Sequence, residues 1–489
     1  MRTYKYLFFN LILTLLFTLT NLYAQDDFRE WLKNDQKQYN QYLDETDRAF
    51  LNFLEQDWKR FDAKKGMKAA ERPKPVTIPI AEEKDKPTEP ESDLTEIIKI
   101  IDDPKPIPEP VKNPDIISPE HDLAKPAVEF DFFGSSYRVE CSVNSTWEFI
   151  SPVSNKSISK AWEKMAVDHK SGLISQLEKL RTEISLNDWG YVLLIHRFAG
   201  SVYQGNTNKQ ILYEWFLLNK SGMSARVAYQ NNNVLLLLPV KNQMFEVQFT
   251  MIDEIRHYFI DWNQVLDLNQ QIFTYTGVYK DAENLVNLAV TQVPKFNSSP
   301  ETRSLNFNYD HEDISLDVEF ADDVVLFFKE YPQTELTVYL SAGTSDNFNR
   351  SVTNSLRPYL EGKTELQAVN FLLRFVQTAF DYKTDDQQFG REKYLVPEET
   401  IFYPSSDCED RSILFSYLVH HLLNLDVILL NYPGHISTAV HFEGNVSGDK
   451  LEYDNKTYVI CDPTYINADA GMTMPDFKLM TPSVIRYTF

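Results

Sequence analysis

Three residues near the C-terminus carry the side chains of a thiol catalyst. Cys408 precedes apolar residues at three- and four-residue spacing, which predicts that it lies in the first turn of a helix. There, free backbone N–H groups and the positive helix end stabilise a thiolate and can donate to an oxyanion. His435 opens a predicted strand after the Pro433-Gly434 turn, and Asp462 ends a later strand before Pro463-Thr464. An imidazole can move the thiol proton while a carboxylate orients the imidazole, so the trio predicts nucleophilic acyl chemistry.

The residues around the cysteine both favour and oppose that chemistry. Ser406 and Glu409 have capping-box spacing, which predicts Ser406 as the N-cap. Asp407, Glu409 and Asp410 disfavour a thiolate because like charges repel. A nearby imidazolium is therefore needed to hold the thiolate.

Two other residues compete for these roles. His435 and His441 share one face of the predicted strand but lie about 20 Å apart, so only one can serve a given site. His435, at the turn end, is the predicted one. Cys461 precedes Asp462 in a strand and so points to the opposite face, which predicts a packing residue rather than a second nucleophile.

The order Cys408, His435, Asp462, with Pro463-Thr464 after the last, resembles the transglutaminase-like superfamily over about Leu366–Phe489, a quarter of the chain. The resemblance implies a papain-like α+β fold for the C-terminal domain. It also implies that Cys408 attacks a carbonyl as thiolate and forms an acyl-enzyme, that His435 shuttles protons, and that Asp462 orients His435.

One departure leaves the acceptor of the acyl group open. Many members follow the strand histidine with Ala-Trp, whereas this chain has Ile436-Ser437. Tyr403 and Tyr465 are candidate side-chain oxyanion donors. The predicted function is a thiol hydrolase, a cysteine-type peptidase or amidase acting on a peptide or protein. The alternatives are a non-catalytic envelope scaffold or binding protein with the same fold, and a transglutaminase that crosslinks amines.

The N-terminus predicts export. Arg2 and Lys5 precede an apolar run from Leu7 to Leu19, and polar residues follow Ala24, which is typical of a secretory signal peptide over residues 1–24. A membrane anchor is the alternative, but the run is short against the roughly 20 residues of a span. We therefore expect a periplasmic or extracellular protein with no membrane span after cleavage.

The net charge limits the kinds of partner that the chain can bind, and the cysteine count limits its disulfide bonding. The net charge is −23, and loss of the two signal-peptide cations makes it −25, which disfavours nucleic acid. Three Cys in 489 residues do not form a disulfide framework. The sequence predicts neither a metal nor a cofactor.

Aromatic residues recur every eleven positions after the predicted signal. The first series is Phe28, Tyr39, Phe50 and Phe61. Eleven residues make about three helical turns, which predicts an amphipathic, coiled-coil-like helix over residues 25–66. Its apolar stripe should pack on a second copy or an envelope partner; the alternative is that it folds back on its own chain.

The remaining sequence predicts three further segments. Residues 67–126 are Pro-rich and charged, which predicts a semi-rigid linker. Residues 127–300 form a predicted α/β accessory domain, and residues 301–489 the catalytic domain. Its lead-in over 314–342 is predicted to be mainly β, followed by a helix over Leu366–Ala379.

The accessory domain echoes the catalytic one. A shift of about 202 residues places Asn206 at Cys408 and Asn233 at His435, and a shift of 201 places Asp261 at Asp462. We therefore predict an α+β protein in which residues 127–300 are a degenerate, inactive copy of the same fold. Chance similarity of helix and strand order is the alternative.

Overall fold

The fold was described from a computed structural model. It describes residues 45–56, 58–69, 77–87, 126–141, 147–168, 172–262, 266–297 and 299–487. The predicted signal peptide and residues 25–44 of the predicted helix lie outside these ranges. No helix in the described part of the chain is both long and apolar enough to cross a membrane.

Within these ranges the protein is a mixed α+β structure with 12 helices. The helices are α1 (45–54), α2 (Asn155–Asp168), α3 (Leu173–Glu183), α4 (Asp188–Val202), α5 (Thr207–Lys220), α6 (Asp322–Lys329), α7 (Leu336–Leu340), α8 (Asp346–Leu360), α9 (Glu365–Thr378), α10 (Asp385–Gln388), α11 (Pro397–Phe402) and α12 (Cys408–Leu423). Two 3-10 turns are present at Glu83–Asp85 and Pro475–Phe477.

The described strands fall into two large sheets and three pairs. They are β1 (Lys59–Phe61), β2 (Ala127–Phe132), β3 (Ser135–Glu140), β4 (Arg226–Gln230), β5 (Asn233–Pro239), β6 (Phe249–Ile252), β7 (Ile255–Ile260), β8 (Ile272–Thr274), β9 (Glu301–Tyr309), β10 (Glu312–Phe320), β11 (Asp381–Tyr382), β12 (Ser405–Ser406), β13 (Asp426–Tyr432), β14 (His435–His441), β15 (Lys450–Tyr453), β16 (Lys456–Cys461) and β17 (Ser483–Ile485).

The first large sheet is a nearly closed antiparallel barrel in the order β1-β8-β4-β5-β7-β6. Closure comes from the N-terminal chain, because β1 pairs with β8 while Lys64, further along, bridges Phe249 of β6. The apolar run of β5 is buried on both faces: Leu236 and Leu238 join one core cluster, and Leu235 and Leu237 another. A strand with two buried faces needs such a continuous apolar run rather than alternation.

The second large sheet is a half-barrel in the order β15-β16-β14-β13-β17, and α12 packs against its centre. Val440 and Val459 share a core cluster with residues of α12, whereas Ala439 and Ile460 lie in a separate cluster on the other face. Both ends of β14 are fixed by antiparallel pairing, so the position of His435 is set by strand register.

The two sheets share a strand order. The order β4-β5-β7-β6 matches β13-β14-β16-β15, and in each sheet a further antiparallel strand, β8 or β17, lies beside the first. Leu236 pairs with Ile260 as Thr438 pairs with Cys461, and each leading hairpin has a two-residue turn. This register makes Asn233 equivalent to His435.

The other two predicted equivalences can be compared from the ends of the strands and helices. Asp261 directly follows its strand, as Asp462 does. Asn206 is the N-cap of α5, whereas Asp407 is the N-cap of α12, so the equivalent of Cys408 is Thr207. Counted from these N-caps, the predicted match of Asn206 to Cys408 is offset by one residue.

The predicted helix over residues 25–66 ends earlier than expected. Helix α1 stops at Leu54, and Lys59–Phe61 is a strand because pairing with β8 overrides the helical periodicity. Phe50 is buried against Trp162, with ring centroids 4.7 Å apart. The described part of the stripe therefore packs on its own chain, which was the alternative expectation.

The lead-in over 314–342 is β only at its start. Strands β9 and β10 form a hairpin, but residues 322–329 and 336–340 are the helices α6 and α7, so the prediction of β structure up to 342 was wrong there. Phe327 and Phe328 of α6 are buried in the same core as the barrel. Short apolar runs fit a buried helix as well as a strand.

Candidate functional site

The structure brings His435 and Asp462 together. Nε2 of His435 lies 2.8 Å from Oδ2 of Asp462, and the exposed fractions of the two residues are 1% and 2%. The other carboxylate oxygen, Oδ1, accepts hydrogen bonds from the backbone N–H groups of Thr464 (2.9 Å) and Tyr465 (3.3 Å). The carboxylate is therefore held by the turn that follows its strand and in turn fixes the imidazole.

The second ring nitrogen of His435 is buried and has no hydrogen-bond partner among the described residues. Because Nε2 is occupied by Asp462, Nδ1 is the atom left for exchanging a proton with another group. Phe477 stacks on the imidazole, with ring centroids 4.9 Å apart and an interplanar angle of 16°, and Tyr432 lies nearly parallel to it at 6.4 Å.

Cys408 is the first residue of α12, in the first turn as predicted. The N-cap is Asp407 rather than the predicted Ser406, and its backbone N–H donates to the Asp410 carboxylate over 3.2 Å. The capping box is therefore displaced by one residue from the Ser406/Glu409 pattern. The thiol side chain still lies where the helix presents its free N–H groups.

The thiol of Cys408 donates to Oε2 of Glu409 over 2.7 Å, and both residues are almost fully buried. A hydrogen bond between Cys408 and Nδ1 of His435 is not formed in this structure. A carboxylate in contact with the sulfur favours the protonated thiol over the thiolate.

Two contacts nevertheless hold the start of α12 at the end of the sheet where His435 lies. Ser412, one turn after Cys408, donates to the main-chain oxygen of Ile436 over 3.3 Å. Residues four apart share a helix face, so the face that carries Cys408 is the one turned toward the start of β14.

The second contact runs through Arg411. Its guanidinium is buried and donates to the main-chain oxygens of Gln377 (3.2 Å) and Phe380 (2.8 Å) and to Oγ of Ser406 (3.1 Å). Burial lowers the pKa of Arg411 to about 10, against the opposing effect of Tyr382 and nearby carboxylates, so the side chain stays charged at neutral pH. The start of α12 is thereby fixed to the end of α9.

Gln377 completes the connection to Asp462. Its side-chain amide donates to the main-chain oxygens of Asp462 (3.1 Å) and Ala468 (3.0 Å), and its Oε1 accepts from the N–H of Asn467 (3.1 Å). One buried side chain thus ties α9 to the loop that follows β16. The sequence signal was a polar residue near the end of an otherwise apolar helix face, and it was missed.

The competing residues lie elsewhere. Cys461 is in the core on the opposite face, as predicted, where burial raises the pKa of its thiol. His441 is at the far end of β14 and its Nδ1 lies 2.9 Å from the main-chain oxygen of Thr457. Tyr465 packs in an apolar cluster. Tyr403 makes edge-to-face contacts with Phe389 and Phe402, and burial raises its pKa to about 12.

One group of side chains in the described ranges has donor atoms spaced for a metal ion: Asp385, Asp407 and Asp410. Oxygen atoms of this group already accept backbone hydrogen bonds from Lys393 (2.8 Å, to Asp385) and Leu395 (2.9 Å, to Asp410). The carboxylates of Asp385 and Asp410 therefore hold residues 393–395 against the start of α12.

Comparisons with known proteins leave the family open. No family model matches the chain, and no curated protein or solved structure gives a significant match. Function must therefore be inferred from the residues and their geometry.

Proposed function

We propose that this chain is an exported thiol hydrolase, a cysteine-type peptidase or amidase with a transglutaminase-like C-terminal domain over residues 301–489. The observation that supports it best is the His435–Asp462 pair, with Nε2 bound at 2.8 Å and Nδ1 buried without a described partner. Cys408 begins the helix that packs on the same strand end. A nucleophile, a proton carrier and an orienting carboxylate are the parts that thiol acyl transfer requires.

The proposed reaction has two halves. Cys408 first exchanges its contact with Glu409 for one with His435, and Nδ1 takes the thiol proton. The sulfur then attacks the substrate carbonyl carbon, a C–S bond forms, and the C–N bond breaks as His435 protonates the leaving nitrogen. Water, deprotonated by His435, attacks the thioester and releases a carboxylic acid and the thiol. Backbone N–H groups at the start of α12 are the proposed oxyanion donors.

The accessory domain is proposed to be a degenerate copy of the same fold. The shared strand order and hairpin register support this, with Asn233 and Asp261 at the positions of His435 and Asp462. Thr207 stands where the catalytic domain has Cys408. Lacking both thiol and imidazole, this copy has no acyl chemistry and serves as a scaffold.

Three further parts of the proposal rest on sequence. The signal-like N-terminus supports export to the periplasm or outside the cell. Residues 25–44, outside the described ranges, keep the proposed role in self-association or in binding an envelope partner. An amine in place of water would make the same site a crosslinking transglutaminase.

A non-catalytic scaffold is the second candidate, and one contact favours it. Cys408 is hydrogen-bonded to Glu409 rather than to His435, in a site that is almost fully buried. A binding protein can keep a Cys-His-Asp set without turnover. The two candidates differ in whether His435 activates the thiol.

Alkylation of Cys408 by iodoacetamide, followed by mass spectrometry of its peptide, separates them. An enzyme is expected to react fast near neutral pH, to lose at least tenfold in rate with His435→Ala, and to keep its rate with His441→Ala on the same strand. Equal rates for both histidine variants would reject the enzyme. Trapping an acyl adduct on Cys408 from envelope extract, absent in Cys408→Ala and retained in Cys461→Ser, would then identify the substrate.

A further inference from the structure

The candidate site is closed in this structure. The exposed fractions of Cys408, His435 and Asp462 are 2% or less. Phe477, on the turn Pro475–Phe477, covers the imidazole ring at 4.9 Å. A peptide carbonyl needs to come within about 3–3.5 Å of the sulfur, so something must move before any substrate reacts.

A piece of the Pro-rich segment packs beside that turn. Ile80 forms a parallel bridge with Ile466, and the N–H of Ala81 donates to the main-chain oxygen of Ile466 over 2.8 Å. Ala81 is buried in an apolar cluster against which Phe477 also packs. The other members of the cluster are Tyr465, Ala468, Met472 and Met474. We call residues 77–87 the strap.

We infer that the strap is an autoinhibitory cover, which holds the turn of Phe477 over His435 until the strap leaves the domain. This inference rests on the proposed function, since it describes access to the proposed site. The strap touches the loop that begins at Asp462 and shares an apolar cluster with Phe477, so its release removes part of the support of Phe477, which also packs on Tyr432.

Among the strap residues whose burial is described, Ala81 is the buried one, which suits a reversible cover. Its contacts with the domain include the pairing at Ile466, one buried methyl group at Ala81 and a partly exposed ion pair between Lys86 and Asp469 at 3.3 Å. Ile80 itself is 66% exposed. Elements with few buried contacts and exposed hydrogen bonds open at much lower free energy than the whole fold.

The first test replaces residues 78–86 in the full chain by Gly and Ser at equal length. The expected result is alkylation of Cys408 by iodoacetamide at least tenfold faster, with an unchanged melting temperature. Glu82→Gln, an exposed change on the same strap, should react within twofold of wild type. A folded replacement chain that reacts at the wild-type rate overturns the inference.

If the Gly and Ser replacement of residues 78–86 prevents folding, Phe477→Ala tests the inference independently. Loss of the ring should also accelerate alkylation at least tenfold, while Leu479→Ala, fully exposed on the same loop, should not. If Phe477→Ala does not accelerate alkylation, the inference that Phe477 covers the site is overturned. The acceleration is steric, so it should persist in a His435→Ala background; slowing by His435→Ala reports separately on the proposed catalyst.

Discussion

The side-chain amide of Gln377 donates a hydrogen bond to the main-chain oxygen of Asp462, although the two residues are 85 positions apart. The main-chain oxygen of Gln377 accepts from Arg411, three residues after Cys408. This one residue therefore connects the helix of the thiol to the loop of the orienting carboxylate.

Gln377→Ala is expected to lower the free energy of unfolding by about 2 kcal/mol, because it removes a buried donor from two main-chain oxygens and an acceptor from the N–H of Asn467. It should also shift the pH profile of Cys408 alkylation, since one of the contacts that hold the Asp462 loop is lost. Gln367→Ala, exposed at the start of the same helix, should cost under about 1 kcal/mol and leave the profile unchanged. Urea unfolding and alkylation rates measure both effects. An unchanged pH profile in a destabilised variant would make Gln377 merely structural.

Glu409→Gln is expected to increase the alkylation rate of Cys408 near neutral pH about tenfold. The carboxylate contact at 2.7 Å favours the protonated thiol, whereas a neutral amide can donate to the thiolate. The exposed Glu443→Gln serves as the control and should react like wild type. A slower reaction in Glu409→Gln would mean that the carboxylate accepts the thiol proton.

His257 should make the barrel sensitive to acid. Burial, then the Arg226 charge, lowers the pKa of His257 from 6.5 to about 4 in the folded protein. The unfolded chain therefore binds more protons than the folded protein between pH 6.5 and 4. The difference in pKa corresponds to about 3 kcal/mol of folding stability. This stability is present above pH 6.5 and is lost as the pH falls through the window.

His257→Gln should remove this part of the pH dependence of unfolding, measured by urea titration at pH 7, 6, 5 and 4. The control is His311→Asn, at an exposed turn where His311 has a φ of 68°. Equal slopes for wild type and His257→Gln would contradict the burial of a neutral imidazole.

Asp47→Ala should destabilise the barrel by about 3–5 kcal/mol. Asp47 lies 2.6 Å from Nζ of Lys220, and only 3% of that lysine side chain is exposed, so the substitution removes a carboxylate that faces a buried ammonium group. Lys179→Ala, which breaks an exposed pair with Glu183, should cost under about 1 kcal/mol. A loss below about 1 kcal/mol for Asp47→Ala would show that the ion pair with Lys220 contributes little to stability.

The elements around the candidate site could be predicted because their signals are local. A polar run before an apolar helix placed Cys408 in the first turn of α12, and the Pro433-Gly434 turn placed His435 at the start of β14. Alternation along β16 put Cys461 and Asp462 on opposite faces. Even so, the N-cap of α12 is Asp407, one residue after the predicted Ser406.

The features that the sequence did not reveal depend on contacts between residues that are far apart in the chain. The helix ends at Leu54 because Lys59–Phe61 pairs with a strand more than 200 positions away. Phe477 covers His435 from 42 positions further along, and the Glu409 carboxylate accepts a hydrogen bond from the Cys408 thiol. None of these partners leaves a periodic pattern in the chain.

The N-terminal chain is fastened at two successive points, and this sets a direction for mechanical load. Residues 45–69 are built into the barrel through Phe50, Asp47 and β1, and the strap begins at residue 77. The intervening stretch can span at most about 30 Å. Tension applied upstream of residue 45 is therefore borne by the barrel before it reaches the strap. A pull that peels the strap from Ile466 at low force has to come from the opposite direction, along residues 88–125.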